Sequence, residues 1–137
     1  MIVCSENFAK RNNLNPIARI VSGAVTGCDP EIMGIGPIDA CKLAIKRSQW
    51  SIEDIDIFEL NEAFSSQSIA VINELEINID KVNIDGGSLA IGHPLGASGI
   101  RIIGKAASIL NRTNGNRAIA AMCIGGGMGI AITLEKP

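Results

Sequence analysis

The sequence lacks tyrosine, holds one tryptophan and three phenylalanines, and has a single histidine among 137 residues. A chain with 47% hydrophobic residues and 3% aromatics must build its core from Ile, Val, Leu and Ala. Positive charge is also sparse: no basic run exceeds two residues, and the formal net charge is -2. The electrostatic footprint of a nucleic-acid binder is therefore missing. No apolar run approaches the length needed to cross a bilayer, which argues against a membrane partner. Nothing at the N-terminus reads as a leader, because Met1-Ile2-Val3-Cys4 is followed at once by Ser5 and Glu6. Cys4, Cys28, Cys41 and Cys123 form no Cys-x-x-Cys pair, and His93 lies far from each of them in sequence. That spacing excludes a zinc ribbon or finger and predicts no metal site. Unpaired single cysteines suit a reducing compartment, so a cytoplasmic location is expected.

What is abundant is glycine, 15 residues, and it is clustered. Clustered glycine implies shaped turns and close backbone approaches rather than a flexible linker. Hydrophobic patterning predicts a strand over 18–27, a helix over 38–47 opened by Pro37, and a strand over 56–60. Further on it predicts a helix over 61–75, a short strand over 81–84, and a helix over 97–110. Strands over 117–124 and 129–134 close the chain, joined by Gly125-Gly126-Gly127. Ser5 is a cap for a short helix reaching about Asn12, and Ser51 to Asp54 reads as a capping box. The alternation predicts an α/β layered fold with a five-stranded, mostly parallel mixed sheet in which the last strand runs antiparallel. The 97–110 helix is apolar or small nearly all round, which predicts a buried central helix covered by a second layer. Met1 to Cys4 reads as the end of a strand that has no beginning.

Three polar features fall where strands give way to helices or turns, the edge at which open α/β sheets bind ligands. The first is Asn61-Glu62-Ala63-Phe64. The second is Gly92-His93-Pro94-Leu95-Gly96-Ala97-Ser98-Gly99. The third is Cys123-Ile124-Gly125-Gly126-Gly127. His93 precedes a helix N-terminus, which disfavours an imidazolium and keeps the ring able to act as base or donor. The glycines after Cys123 let backbone N–H groups approach a ligand, as an oxyanion hole requires. Each feature also has a structural reading: His93 as a loop cap, Cys123 as a core thiol, Asn61 as a helix N-cap. Asp29, Glu62 and Asp85 read as turn or surface residues. Nucleotide-binding signatures fail, because Gly104-Lys105 is followed by Ala106 and the 125–127 turn lies between two strands.

Taken together, these segments resemble the C-terminal part of a thiolase over essentially the whole chain. Asn61 to Phe64 resembles the family's NEAF motif, and Gly92 to Gly99 its GHPxGxSG motif. Cys123 to Gly129 resembles the CxGGGxG motif, and Asp29 to Pro37 the DPxxMGxGP loop. The resemblance implies a thiolase-like layered domain over 17–137, with 1–16 as a remnant of the preceding half. It implies reversible Claisen condensation or thiolysis of 3-ketoacyl-CoA, with coenzyme A thioesters as substrates and no further cofactor. By that match Cys123 is the acid/base cysteine, and His93 activates the nucleophile and holds a thioester oxyanion. Asn61 positions a water in the same hole, the Gly125 N–H faces the oxyanion of the acylated intermediate, and Met33 and Phe64 line the pantetheine pocket.

The departures from the pattern carry weight. The family's nucleophilic cysteine and the insert that grips the CoA nucleotide have no counterpart here. Asp85 stands where the family usually has Asn, and Ser88 where it usually has Ala. The implied partners are acyl-CoA or acetyl-CoA, an N-terminal thiolase half or second subunit, and a homo-oligomer when complete. The isolated chain is then expected to be inactive. Two alternatives stand beside this reading. One is a condensing enzyme of the same fold, a ketoacyl synthase or hydroxymethylglutaryl-CoA synthase, which would not use a cysteine before the triple glycine. The other is a non-catalytic half that binds acyl-CoA or a complementary chain.

Overall fold

A computed structural model describes all 137 residues. Helix α1 (Glu6–Arg11) is capped by Ser5, whose side chain accepts from the Phe8 N–H. Strand β1 (Arg19–Gly27) leads into a 3-10 turn (Pro30–Ile35) and helix α2 (Pro37–Ser48). Strand β2 (Ile57–Leu60) precedes α3 (Ser65–Glu74), a short α4 (Ser88–Ile91) and the long α5 (Leu95–Arg112). Strands β3 (Arg117–Ile124) and β4 (Met128–Glu135) end the chain.

The sheet has four strands in the order β1-β4-β3-β2. Strands β1, β2 and β3 run one way and β4 the other. Because β4 inserts between β1 and β3, two of the three ladders are antiparallel and only β2–β3 is parallel. The expected five-stranded, mostly parallel sheet is thus corrected in count and in pairing. The missing strand is 81–84. Asn78 caps a 3-10 turn over Ile79–Lys81, and Val82 makes a single bridge to Phe58. Asn83 then turns into a left-handed conformation (φ 45°) and bonds β2 with its side chain. Its Oδ1 accepts from Leu60 N at 2.9 Å and its Nδ2 donates to Leu60 O at 2.9 Å. A side chain here does the work expected of a backbone ladder. Met1 to Cys4 carries no strand either.

The two sheet faces carry separate cores. Ile119 and Ala121 of β3 join Phe58 and Leu60 of β2 in packing against α2 and α3. The alternate residues Ile57 and Ala118 pack with Ala106, Ile109 and Leu110 of α5. Helix α5 buries Ser98, Ile102, Ala106, Ala107, Ile109 and Leu110. Its other side is open, with Leu95 at 80% and Ile100 at 47% exposure. One sheet face is all that covers it in this chain; the expected second layer, from another copy or a missing half, is not supplied by these residues. No helix is long and apolar enough to cross a membrane.

Candidate active site

Asn61 follows directly on β2, where its N–H donates to Ala121 O across the parallel ladder at 2.9 Å. It does not cap a helix. Helix α3 starts four residues later, with Phe64 at the N-cap position making no side-chain bond. The Asn61 side chain is instead 1% exposed and points to the α5 face, the opposite side from Leu60. There Oδ1 accepts from Ser88 Oγ at 2.8 Å, and Nδ2 lies 3.4 Å from His93 Nε2.

His93 sits between α4 and α5, half-buried. Its Nδ1 is 2.6 Å from Ser98 Oγ, in the first turn of α5, and Ser98 Oγ donates to Pro94 O at 3.2 Å. With its proton on that carbonyl, Ser98 can accept from Nδ1–H, which leaves Nε2 as the ring's acceptor facing the Asn61 amide; turned to Nδ1, the same hydroxyl serves the other tautomer. Both ring nitrogens thus have a polar side chain within reach.

Cys123 ends β3 on the other face, in line with Ile119 and Ala121. It is 7% exposed, and burial pushes its thiol above the usual range, so the resting group is the protonated thiol. The next residues form the Gly125-Gly126-Gly127 turn, in which Gly126 and Gly127 have φ of 84° and 82°. That turn is locked onto the start of the 3-10 turn, since Cys28 N donates to Gly127 O at 2.8 Å. A Cβ on Gly127 would stand 2.5 Å from Cys28 O. Gly36 and Gly129 touch through their backbones, and a Cβ on Gly36 would meet Met128 O at 2.5 Å. Met33 lies in this 3-10 turn, half-buried, with its carbonyl near Cys28 Sγ. Gly34 packs against Gln67 of α3, which brings the first turn of α3, and Phe64 before it, alongside. Phe64 is 66% exposed.

The structure therefore joins Asn61 to His93 by contact and holds Cys123, Gly125 and Met33 across the sheet edge from them. No hydrogen bond links Cys123 to His93 or Asn61. The clefts lined by Lys42, Ile45, Trp50 and Leu75, and by Asp54, Asp56, Asn116 and Arg117, include none of these residues. No group of His, Cys, Asp or Glu side chains is placed to hold a metal ion.

Several residues here do more than sequence reasoning gave them, and Arg101 was not singled out at all. Glu62 is no idle turn residue: Oε1 accepts from Asn83 Nδ2 at 2.8 Å and Oε2 from Leu89 N at 2.9 Å. It clamps α4 to the end of β2, and a Cβ on Gly87 would collide with its carboxylate. Asp85 pairs with Lys105 at 2.6 Å and Arg112 at 2.7 Å, and these hydrogen bonds hold its carboxyl down to about 2. Ser88 and Arg101 extend the bonding at Asn61. The signal for Asp85, Ser88 and Arg101 was the spacing of polar residues within the largely apolar stretch from 84 to 110.

Glu59 is the other unforeseen group. It lies 3% exposed on the α5 face of β2, and its Oε1 has no hydrogen-bond partner. Burial pushes its carboxyl up from 4.5 to about 7; Lys105 and Arg101 pull it down, and Asp85 and Glu62 add to the rise. The folded chain holds this proton between about 4.5 and 7 while the unfolded chain releases it. Stability from this group is thus full below about 4.5, declines as pH rises to about 7, and is flat above. Glu59→Gln is expected to remove up to about 3 kcal/mol of the stability lost between pH 5 and 8. Urea unfolding at both pH values checks this; an unchanged pH slope in the variant would remove Glu59 as its source.

With this geometry in place, the comparisons with known proteins are specific. Residues 14–136 match the family model described as Thiolase, C-terminal domain. The chain is 49% identical over 136 residues to the cytosolic acetyl-CoA acetyltransferase of Mus musculus, covering 99% of this chain and 34% of that protein. It is 47% identical over 136 residues to the mitochondrial 3-ketoacyl-CoA thiolase of Homo sapiens, with coverage of 99% and 34%. The crystal structure of human mitochondrial 3-ketoacyl-CoA thiolase in complex with CoA superposes with a TM-score of 0.94 at 46% identity, covering 96% of this chain and 34% of that one. The chain spans about a third of the length of the curated relatives it matches.

Proposed function

Because the chain belongs to the thiolase C-terminal domain family, we propose that it supplies the acid/base and oxyanion-binding side of an acyl-CoA C-acyltransferase. The reaction is condensation of acyl-CoA thioesters to 3-ketoacyl-CoA and its reversal by thiolysis, with no cofactor beyond the CoA substrates. The observation that carries this reading is the Asn61–His93 pair, bonded at one sheet edge beside the Cys123–Gly125 turn.

The chemistry turns on an enolate beside a thioester. In the cleavage direction a nucleophilic cysteine attacks the 3-keto carbonyl, and the carbon–carbon bond breaks to leave an acyl-enzyme and the enolate of acetyl-CoA. The Cys123 thiol gives its proton to the enolate carbon, and in condensation its thiolate takes that proton back. A thiol kept neutral by burial is the right resting form for the donor. His93 Nε2, held as an acceptor, takes the proton of the attacking cysteine and afterwards donates to a thioester oxyanion. Asn61 Nδ2 positions a water for the same oxyanion, and the Gly125 N–H serves the oxyanion of the acylated intermediate. Met33 and Phe64, on adjoining elements, line the pantetheine arm.

The acyl-accepting cysteine is not among the remaining three. Cys41 is sealed in the core with its thiol pushed up to about 12. Cys4 lies exposed ahead of α1, and Cys28 stands against the Met33 carbonyl. We place the nucleophile on a complementary segment, the whole being a cytoplasmic homo-oligomer. A chimaera joining the first two thirds of the mouse cytosolic acetyl-CoA acetyltransferase to this chain tests the reading. It is expected to cleave acetoacetyl-CoA in the presence of CoA, whereas this chain alone does not. A folded chimaera that binds acetyl-CoA yet shows no turnover would favour the non-catalytic, acyl-CoA-binding alternative instead.

A further inference from the structure

Two residues that this mechanism does not use set the direction of the hydrogen bond between Asn61 and His93. Arg101 reaches back from α5, and its Nη2 donates to Ser88 Oγ at 2.7 Å and to Gly92 O at 2.9 Å. A guanidinium can only donate. The Ser88 oxygen therefore accepts from Arg101, and its own proton goes to Asn61 Oδ1 at 2.8 Å. That bond decides which end of the Asn61 amide meets the imidazole: Oδ1 is taken, so Nδ2 faces His93 Nε2. At the far end the Ser98 hydroxyl can serve either tautomer, so an Nε2 that accepts from Asn61 leaves Nδ1–H to donate to Ser98, whose own proton goes to Pro94 O. Six groups thus share one proton polarity, running from Arg101 through Ser88, Asn61, His93 and Ser98 to Pro94 O. Asn61, Ser88 and Ser98 are buried, at 1%, 6% and 0% exposure, so solvent is poorly placed to replace a lost link.

We propose that Arg101 and Ser88 are positioning residues that hold the Asn61 amide in one orientation and thereby fix His93 as the Nδ1–H tautomer with its Nε2 lone pair toward the site. Without the Ser88 hydroxyl, either end of the Asn61 amide can meet the ring and either tautomer can form. The functional meaning rests on the thiolase reading above, in which Nε2 must receive a proton. The tautomer itself does not.

His93 is the only histidine, so imidazole 15N signals from this chain belong to it alone. Spectra are taken in solution or by magic-angle spinning, at a pH where the ring is neutral. The wild-type chain is expected to give a protonated-type signal for Nδ1 and an unprotonated-type signal for Nε2. Ser88→Ala and Arg101→Met should each lose that separation, the two signals moving toward averaged positions. Ser88→Thr, which keeps the hydroxyl, and Arg101→Lys, which keeps a donor-only cation, should retain it. The backbone amide spectrum reports folding, and Arg101→Met tests the same link if Ser88→Ala does not fold. A wild-type proton on Nε2 would overturn the proposal, as would an unchanged separation in either folded loss variant. A chimaera without thiolysis would leave the tautomer result standing, and the wrong tautomer would leave the thiolysis assay standing.

Discussion

Cys123→Ala, placed in the chimaera with the mouse N-terminal segment, is expected to slow acetoacetyl-CoA thiolysis by about 10²–10⁴-fold, the range typical for loss of a positioned general acid or base. The reasoning starts from the atom being protonated. A carbon accepts a proton slowly unless a donor is held against it, and the Cys123 thiol is held at the end of β3 with little solvent around it. Alanine leaves the strand and the following glycine turn in place, so the oxyanion donors remain. The loss should therefore appear in kcat with little change in the affinity for acetyl-CoA. A second readout isolates the step. Exchange of the acetyl-CoA methyl protons with solvent deuterium, followed by mass spectrometry, should vanish in the variant. Exchange that persists at the wild-type rate would assign the proton transfer to another group.

Gly129→Ala is expected to cost the chain about 3 kcal/mol or more, the upper end of the overpacking range, because the obstacle is backbone. A Cβ at Gly129 would run into the Gly36 carbonyl, and one at Gly36 would run into Met128. Neither neighbour can turn aside as a side chain can. Gly36 opens α2 just ahead of Pro37, and Gly129 is paired on both sides, to Thr26 and to Cys123. Relief requires moving a helix or breaking a ladder. Gly104→Ala is the control: a Cβ there meets nothing within 4 Å, and the helical position favours alanine. Urea unfolding of the two variants should move in opposite directions. A Gly129→Ala chain as stable as wild type would mean that α2 and β4 are not in contact at this point.

The contrast between those glycines marks what the sequence could disclose. The cluster at 125–129 and Gly34 and Gly36 announced close approach, and two of the four motifs contain them. Strands β1 to β4 and helices α2 and α5 were legible within a few residues from apolar periodicity. Strand order was not, because periodicity describes one strand and says nothing of its neighbour; the insertion of β4 between β1 and β3 is decided by long-range packing. The 81–84 segment misled for a local reason. Its Val-Asn-Ile pattern suits a strand, but the Asn83 side chain replaces the ladder. For Asn61 a cap reading stood beside the water-positioning role that the resemblance implied, because Asn before an apolar run is often a cap; burial on the α5 face with Ser88 and His93 removes the cap reading. Arg101 and Glu59 were passed over, Glu62 was read as a turn or surface residue and Ser88 only as a loop change, because single polar residues gain meaning only from partners distant in the chain.

The Gly36–Gly129 contact has a consequence for how such a site can diverge. Where two loops meet through side chains, their spacing can drift as those side chains change size. Here the loop carrying Met33 and the turn carrying Gly125 are set apart by main-chain atoms alone. No substitution can adjust that gap in small steps; the only available changes abolish it. If Met33 and Phe64 line the acyl arm as proposed, substrate preference is free to vary at those side chains while their distance from the proposed oxyanion donor at Gly125 stays a constant of the backbone.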